Sequence, residues 1–134
     1  MINCAVTVMP VKDKKIGFLR RDKSDTYGGK LVAPGGKIEM TDGNILDGVM
    51  YDSVEECARR EMIEETGFEI DIKRLEYFCS LTLPNGRVVI SLWYRLEKEE
   101  NIETLEFYTK EEIAERDDFA PGMKEEALML YERI

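Results

Sequence analysis

One short segment carries the strongest structural signal in the chain. Ser53, with Glu56 three positions later, is typical of a capping box at a helix start, and Gly67 is typical of a helix end. Small apolar residues recur between them at helical spacing, at Val54, Cys57, Ala58 and Met62. We therefore predict a helix over about residues 53–66 with one face packed against a core.

Three glutamates crowd into this helix, at Glu61, Glu64 and Glu65. At about 100° per residue, Glu65 lies about 40° to one side of Glu61 and Glu64 about 60° to the other. Glu61 and Glu65 therefore share the apolar face, where a merely solvated run of charge would not lie. Burying neighbouring carboxylates is costly unless a cation neutralises them. Because residues three and four apart can converge, a shared divalent cation is the economical explanation.

Composition limits the kind of cation and the kind of partner. The chain has no histidine, which excludes Ser-His and Cys-His catalysis and leaves oxygen ligands, as suit Mg²⁺, Mn²⁺ or Ca²⁺. A formal net charge of -9 disfavours nucleic-acid polymers and anionic membranes as partners. Three scattered cysteines predict reduced thiols in a cytoplasmic protein. No signal peptide is expected in residues 1–15, and no apolar run near ~20 residues predicts a transmembrane helix.

The remaining elements predict one α+β domain over residues 1–134. Strands are predicted at residues 2–9, 15–20 and 31–36, in two long segments joined by Pro84-Asn85-Gly86, and in a short one, LEFYT. A loop or small hairpin is expected over residues 39–52, where Asp-Gly occurs twice. A short helix is expected in KEEIAE, and a terminal amphipathic helix in MKEEALMLYERI.

Around residues 60–68 the chain resembles the Nudix hydrolase family. The sequence motif of this family, the Nudix box, reads G-x5-E-x7-R-E-U-x-E-E-x-G-U, where U is a bulky aliphatic residue. The second half is matched position by position, by Arg60, Glu61, Met62, Glu64, Glu65, Gly67 and Phe68. Upstream, APGGKIE at residues 33–39 is similar to the usual Gly-Gly-Lys-x-Glu start. The resemblance implies a Nudix α/β/α sandwich with a mixed sheet over nearly the whole chain.

The first half of the box departs from the family pattern. Counting back from Arg60 reaches Asp52 where the family has Glu, and Gly36 lies ten residues too early. The sequence therefore predicts a ten-residue insertion at roughly 41–50. Three roles for the insertion stay open, namely shaping a substrate pocket, forming a dimer contact, or a neutral surface elaboration.

The resemblance also implies a reaction and a set of active groups. Similar proteins use Mg²⁺ or Mn²⁺ to hydrolyse a nucleoside diphosphate linked to another group, X. The expected metal ligands are Glu61, Glu65, Glu64 and the Gly36 carbonyl. Glu64, Arg60 and Glu61 form the expected catalytic group, with Glu64 a candidate base and Arg60 either orienting Glu64 or making a simple surface ion pair. A base from a later loop is the alternative, at Glu99, Glu100 or Glu103, although a solvated acidic loop is the better reading for any one of them.

Candidate substrate contacts are basic and aromatic. Lys37 and Arg20 or Arg21 could meet phosphate oxygens, or could be ordinary surface charges. Aromatic rings that could stack on a base are Tyr27, Phe78, Trp93 and Tyr94. Trp93 and Tyr94 alternate faces on a predicted strand, so at most one of them can face a pocket, and core packing is expected for the other.

The sequence leaves the substrate open. The chain resembles small members that act on nucleoside triphosphates, including oxidised ones. Pro84 lies where ADP-ribose-cleaving members carry a proline, but a P-N-G turn explains proline there without reference to a substrate. ADP-ribose or a nucleotide sugar is the alternative substrate, and a non-catalytic nucleotide-binding module is the alternative function. Either a monomer or a homodimer is compatible with the sequence.

Overall fold

The computed structural model describes residues 2–134 and contains nine strands and three α-helices within them. The strands are β1 (Cys4–Lys12), β2 (Lys15–Arg20), β3 (Leu31–Val32), β4 (Gly35–Lys37), β5 (Asn44–Leu46), β6 (Val49–Tyr51), β7 (Glu76–Thr82), β8 (Val88–Arg95) and β9 (Glu106–Tyr108). The helices are α1 (Ser53–Thr66), α2 (Lys110–Glu115) and α3 (Met123–Leu130), with a 3₁₀ turn at Ile72–Arg74. No helix among the described residues is long and apolar enough to span a membrane.

The chain divides into two compact units. One contains the chain up to Val8 together with Pro34–Tyr94, and the other contains Met9–Ala33 and Arg95–Ile134. Strand β1 contributes residues to both units.

The first unit surrounds helix α1. Strand β4 pairs antiparallel with β1, with Val6 opposite Gly36 and Thr7 opposite Gly35. Strand β8 is the neighbour of β1 in the sheet and pairs antiparallel with β7. The apolar face of α1 is buried at Cys57, Ala58 and Met62. Strands β5 and β6 form a separate two-stranded sheet.

The second unit is organised around β2, which pairs antiparallel with β1, β3 and β9. Leu31 also makes an isolated parallel bridge to Phe119, so parallel and antiparallel pairing occur together. The rings of Phe18 and Phe119 meet edge to face at 4.9 Å between centroids. Helix α2 begins with a complete capping box between Thr109 and Glu112. The predicted α+β class with a mixed sheet is confirmed.

Helix α1 has the predicted bounds, but its predicted cap is wrong. Gly67 ends the helix in a left-handed conformation, at φ 76°, and its amide donates to the Ile63 carbonyl. At the other end Asp52, not Ser53, is the cap residue, and its side chain makes no capping hydrogen bond. The reason is the backbone of Asp52, which is left-handed at φ 61° because β6 turns directly into the helix. Ser53 is therefore already the first helical residue.

Other boundaries also differ from prediction. The segment 31–36 is divided by Ala33 and Pro34 into β3 and β4, since proline has no amide to donate to a ladder. The long strand predicted after Gly67 begins only at Glu76, following the 3₁₀ turn. The last helix ends at Leu130, and the residues after it form turns.

A half-buried cluster of ion pairs in the second unit should make the stability of the protein depend on pH. Arg116 donates to both oxygens of Asp118, at 2.9 and 2.7 Å, and Arg20 donates at 3.2 Å. Hydrogen bonds from Arg116 and then Arg20 outweigh partial burial and lower the pKa of Asp118 to about 2. A lowered folded-state pKa stabilises above the unfolded-state value of 3.8 and loses that contribution as pH falls through about 2.

We therefore expect Asp118→Asn to lower the free energy of unfolding by about 1 kcal/mol at pH 7, because these bonds are only half-buried. The difference from wild type should shrink between about pH 4 and pH 2. Urea unfolding at several pH values measures it, with the exposed neighbour Asp117→Asn as the control. A deficit that stays constant down to pH 2 would contradict the ion-pair origin.

Candidate active site

The close packing of α1 on β4 brings Glu61 against the backbone of Gly36. The Glu61 side chain is only 14% exposed, and a Cβ atom at Gly36 would overlap its carboxylate. Gly35 is more strictly restricted, because a Cβ there would overlap the Val6 carbonyl, a backbone atom of the paired strand. Glycine is therefore required at Gly35 for the two strands to pair, whereas at Gly36 it lets the Glu61 carboxylate lie directly against the backbone.

Glu65 reaches the same strand one helical turn later. Its carboxylate accepts a hydrogen bond of 2.8 Å from the Gly35 amide. Glu64, by contrast, has a side chain that is 56% exposed. Glu61 and Glu65 therefore lie on the packed side of α1, as helical periodicity predicts, and Glu64 lies toward solvent.

Arg60 joins the glutamates to the segment that follows β4. Its guanidinium makes a two-pronged ion pair with Asp42, at 2.8 Å from Nε to Oδ1 and 3.1 Å from the terminal nitrogen to Oδ2. Its other neighbours are Glu61 at 2.8 Å, Glu64 at 3.3 Å, Glu39 at 3.4 Å and the Lys37 carbonyl at 3.0 Å. Arg60 therefore does more than pair with Glu64, and its strongest partner is a residue that sequence reasoning missed.

That residue, Asp42, corrects the reading of the box. Asp42 is 4% exposed and also accepts the Glu39 amide at 2.8 Å, whereas Asp52 is exposed. Counting forward from Gly36 gives G-x5-D with Asp42 in the acidic position, so Gly36 and Asp42 keep the spacing that the box has between its glycine and its glutamate. Counted from Gly36, the extra ten residues are 43–52, which contain β5 and β6; counted back from Arg60, they are the predicted 41–50. Counting from the glycine as well as from the arginine could have found Asp42.

The pKa values of the two largely buried carboxyl groups of this site, Glu61 and Asp42, shift in opposite directions. Burial raises the pKa of Glu61, and the hydrogen bond from Arg60 only partly offsets it. Burial also disfavours charge on Asp42, but bonds from Arg60 and the Glu39 amide hold its pKa below the ordinary value. Burial, with the nearby Asp42 charge, raises the pKa of Cys57 to about 12, so this thiol is not a nucleophile at neutral pH. The charge on Glu61 is thus incompletely compensated by its protein neighbours.

The oxygen atoms of this group are suitable ligands for a hard divalent cation such as Mg²⁺. The side chains, however, do not converge on a single position where an ion could bind. No three acidic or cysteine side chains among residues 2–134 are arranged to hold an ion. The expected convergence of the three glutamates is therefore absent from this arrangement, because Glu61 is turned to Arg60 and Glu65 to the Gly35 amide. Even so, one side of α1 offers oxygen atoms that can ligate a cation, from Glu61, Glu65 and the glycine backbone. The negative charge of Glu61 is only partly compensated by its protein neighbours.

The predicted aromatic contacts in the first unit are largely core residues. Trp93 is 9% exposed, Phe78 is 2% exposed and Tyr94 is fully buried. The Tyr94 hydroxyl accepts the Asp71 amide at 3.0 Å, which satisfies its polar end. Trp93 on β8 is therefore mainly a packing residue, and its contact with substrate stays a prediction. Lys37, on β4 next to Gly36, is exposed as a phosphate contact requires.

The other predicted contacts belong to the second unit. Arg20 binds both carboxylate oxygens of Glu106, at 2.8 and 2.7 Å, and so is engaged within that unit. Tyr27 is 54% exposed in a loop. The Glu100 carboxylate accepts the Glu97 amide at 2.8 Å, and Glu103 is exposed. A substrate or base role for these residues stays a prediction.

A polar cleft of about 540 Å³ opens beside α1. Its lining residues are Thr41, Asp42, Gly43, Asn44, Glu56, Arg59, Arg60, Ile63 and Glu64. Because Arg60 and Glu64 line it, the cleft is continuous with the acidic group described above.

Comparison with known proteins identifies the family. A NUDIX domain model matches residues 1–127. A MutT/nudix family protein from Enterococcus faecalis superposes with a TM-score of 0.69 at 16% identity, covering 99% of this chain but only 62% of its own length. A NUDIX family hydrolase from Clostridium perfringens gives 0.63 at 17% identity, covering 97% of this chain and 98% of that one.

A third structure is described as a bifunctional NMN adenylyltransferase/ADP ribose pyrophosphatase from Francisella tularensis, complexed with AMP and a Mn ion. It gives a TM-score of 0.68 at 14% identity, over 98% of this chain and 42% of that one. No curated protein matches the sequence. Structural likeness at such identities shows the fold alone, whereas the domain match spans nearly the whole chain and coincides with the glycine strand, Arg60 and the three glutamates. The chain belongs to the Nudix family.

Proposed function

We propose that this protein is a metal-dependent pyrophosphohydrolase that cleaves nucleoside triphosphates, including oxidised ones, to a monophosphate and pyrophosphate. The observation that carries the proposal is the packing of Glu61 and Glu65 on the Gly35-Gly36 strand beside Arg60. Pyrophosphate is strongly anionic and the chain has a net charge of -9, so substrate binding here requires a cation. Mg²⁺ or Mn²⁺ bound at this group would neutralise phosphate charge and make water more acidic.

The protein side chains would divide the remaining work. Glu61 and Glu65, with the Gly36 carbonyl, would hold the cation. Glu64 has the most solvent-exposed carboxylate of the three, and its Oε2 lies 3.3 Å from Arg60. Glu64 is thus suited to accept a proton from the attacking water. Arg60 would keep Glu61 and Glu64 in position, and Lys37 would donate to a phosphate oxygen.

ADP-ribose or a nucleotide sugar is the second candidate substrate class. The Francisella protein is described as an ADP ribose pyrophosphatase, and Pro84 stands where such relatives carry a proline. Pro84, however, begins a tight turn closed by the Leu83 and Arg87 backbones, with Gly86 at φ 87°. Turn geometry accounts for this proline, so we favour the triphosphates.

The three free cysteines support a cytoplasmic location.

The test is a substrate screen with the wild-type protein and Glu65→Gln. Triphosphates, oxidised triphosphates, ADP-ribose, nucleotide sugars and dinucleoside polyphosphates would be incubated with Mg²⁺ or Mn²⁺, and the phosphate, pyrophosphate and monophosphate products separated. We expect monophosphate and pyrophosphate from a triphosphate, and none from Glu65→Gln. Cleavage of ADP-ribose alone would select the second class.

Binding of Mn²⁺, followed by paramagnetic resonance, gives a readout that does not depend on turnover. Weaker Mn²⁺ binding in Glu65→Gln is expected. Folded wild-type protein that binds Mn²⁺ and nucleotide but turns over no substrate would indicate a non-catalytic nucleotide-binding module instead.

A further inference from the structure

The β5–β6 hairpin is an apolar element that none of the described residues covers. Its strands form a separate two-stranded sheet in which Ile45 is opposite Met50 and Leu46 is opposite Val49. Four of its apolar side chains are more than half exposed, namely Ile45 at 61%, Leu46 at 63%, Val49 at 52% and Tyr51 at 51%. A two-stranded hairpin alone in water is marginally stable, so a contact that covers it has a clear energetic benefit.

Alternation along the strands places Leu46, Val49 and Tyr51 on one face of the hairpin, together with Asn44. We call these four residues the hairpin face. With on the order of 100 Å² exposed on each apolar side chain, the hairpin face presents roughly 300 Å² of apolar surface, the size at which patches on monomers become functional. Two such faces, with their polar surroundings, approach the low end of protein–protein interfaces, roughly 600 Å² for each partner.

Charge excludes several kinds of partner. Residues 38–58 contain no lysine or arginine but several carboxylates, so this region repels anionic membranes and nucleic acids. Within the strands and turn of the hairpin the only charged residue is Asp47, at the turn. The occupant of the hairpin face must therefore be a nearly neutral, apolar protein surface.

A second copy of the chain supplies such a surface. On this face Leu46 is opposite Val49 and Tyr51 is opposite Asn44, so both strands contribute apolar residues, and the same patch can meet its own copy about a two-fold axis. In a two-fold arrangement with antiparallel hairpins the two Asp47 residues lie at opposite ends, and each approaches the exposed Asp52 of the other copy, a repulsion that weakens the contact. We propose that the hairpin face forms a homodimer contact, hairpin against hairpin, and that this is the role of the extra segment 43–52.

The small area predicts a weak dimer in a concentration-dependent equilibrium with monomer. Sedimentation velocity of the full chain, over concentrations rising to the order of 1 mM, measures it. The decisive variant is Leu46→Ser with Val49→Ser, and the matched control is Met129→Ser on α3, a similarly exposed apolar residue at 54%. We expect wild type and control to dimerise and the hairpin variant to need at least tenfold higher concentration.

Circular dichroism and thermal unfolding would show that the hairpin variant stays folded, since substitutions of exposed side chains cost little stability. A wild-type protein that is monomeric at every concentration overturns the proposal. So does a dimer that the hairpin variant leaves unchanged, because the interface then lies elsewhere. Neither result bears on turnover, which the substrate screen tests separately.

Discussion

Replacing Glu61 by glutamine is expected to lower turnover by a factor of about 10² to 10⁴, with the fold unchanged. Glutamine has the same size, and its amide oxygen can still accept the hydrogen bond from Arg60. What it loses is the negative charge, at the one carboxylate that is buried against Gly36 and incompletely compensated by its neighbours. Removing that charge would weaken the hold on a divalent cation, because Glu65 would then be the only charged ligand left on the packed side of α1.

The matched control is Glu55→Gln, on the same helix but in its first turn. It removes the same charge at a distance of six residues from Glu61, and we expect wild-type turnover. Initial rates at saturating Mg²⁺, with Mn²⁺ affinity and thermal unfolding measured on both variants, separate loss of metal from loss of fold. Wild-type rates in Glu61→Gln, or equal losses in both variants, would show that the site is wrongly assigned.

Local signals explain why sequence reasoning located α1 and its glutamates. Helical periodicity placed Glu61 and Glu65 on the packed face, and Gly67 ended the helix as predicted, because both depend on residues within a few turns of one another. The capping box failed for an equally local reason that no pattern reveals. Asp52 is left-handed, so Ser53 was displaced into the helix.

Longer-range relations were harder to predict. The pairing of Asp42 with Arg60 spans 18 residues and the β5–β6 hairpin, so counting back from Arg60 led to Asp52 and missed this ion pair. Trp93 shows a different limit, since alternation on a strand does not say which of two aromatic residues is packed, and here both are buried. The absence of three converging carboxylates reflects Arg60, which competes for Glu61 in a way that periodicity alone does not show.

Asp42→Asn is expected to be the most damaging single-atom change outside the glutamates. In wild type, one oxygen of Asp42 accepts from Arg60 Nε, and the other accepts from both a terminal Arg60 nitrogen and the Glu39 amide. An asparagine NH₂ group in either position faces a donor, so no rotation of the amide satisfies all three. Because the side chain is buried, we expect the free energy of unfolding to fall by about 2 kcal/mol. The loss should stay below the cost of leaving the Arg60 charge unpaired, because Arg60 keeps its other acidic partners.

The same change should lower kcat more than it raises KM, since Arg60 would still be present but no longer held in position against Glu61 and Glu64. Asp52→Asn, which tests the aspartate that the spacing first suggested, should leave both stability and kcat near wild type, because its side chain makes no capping bond. Asp42→Glu, which restores the charge on a longer side chain, should recover part of kcat. Urea unfolding and steady-state kinetics on the three variants decide the matter. If Asp52→Asn were the damaging change and Asp42→Asn harmless, Asp42 could not be the acidic residue that anchors Arg60.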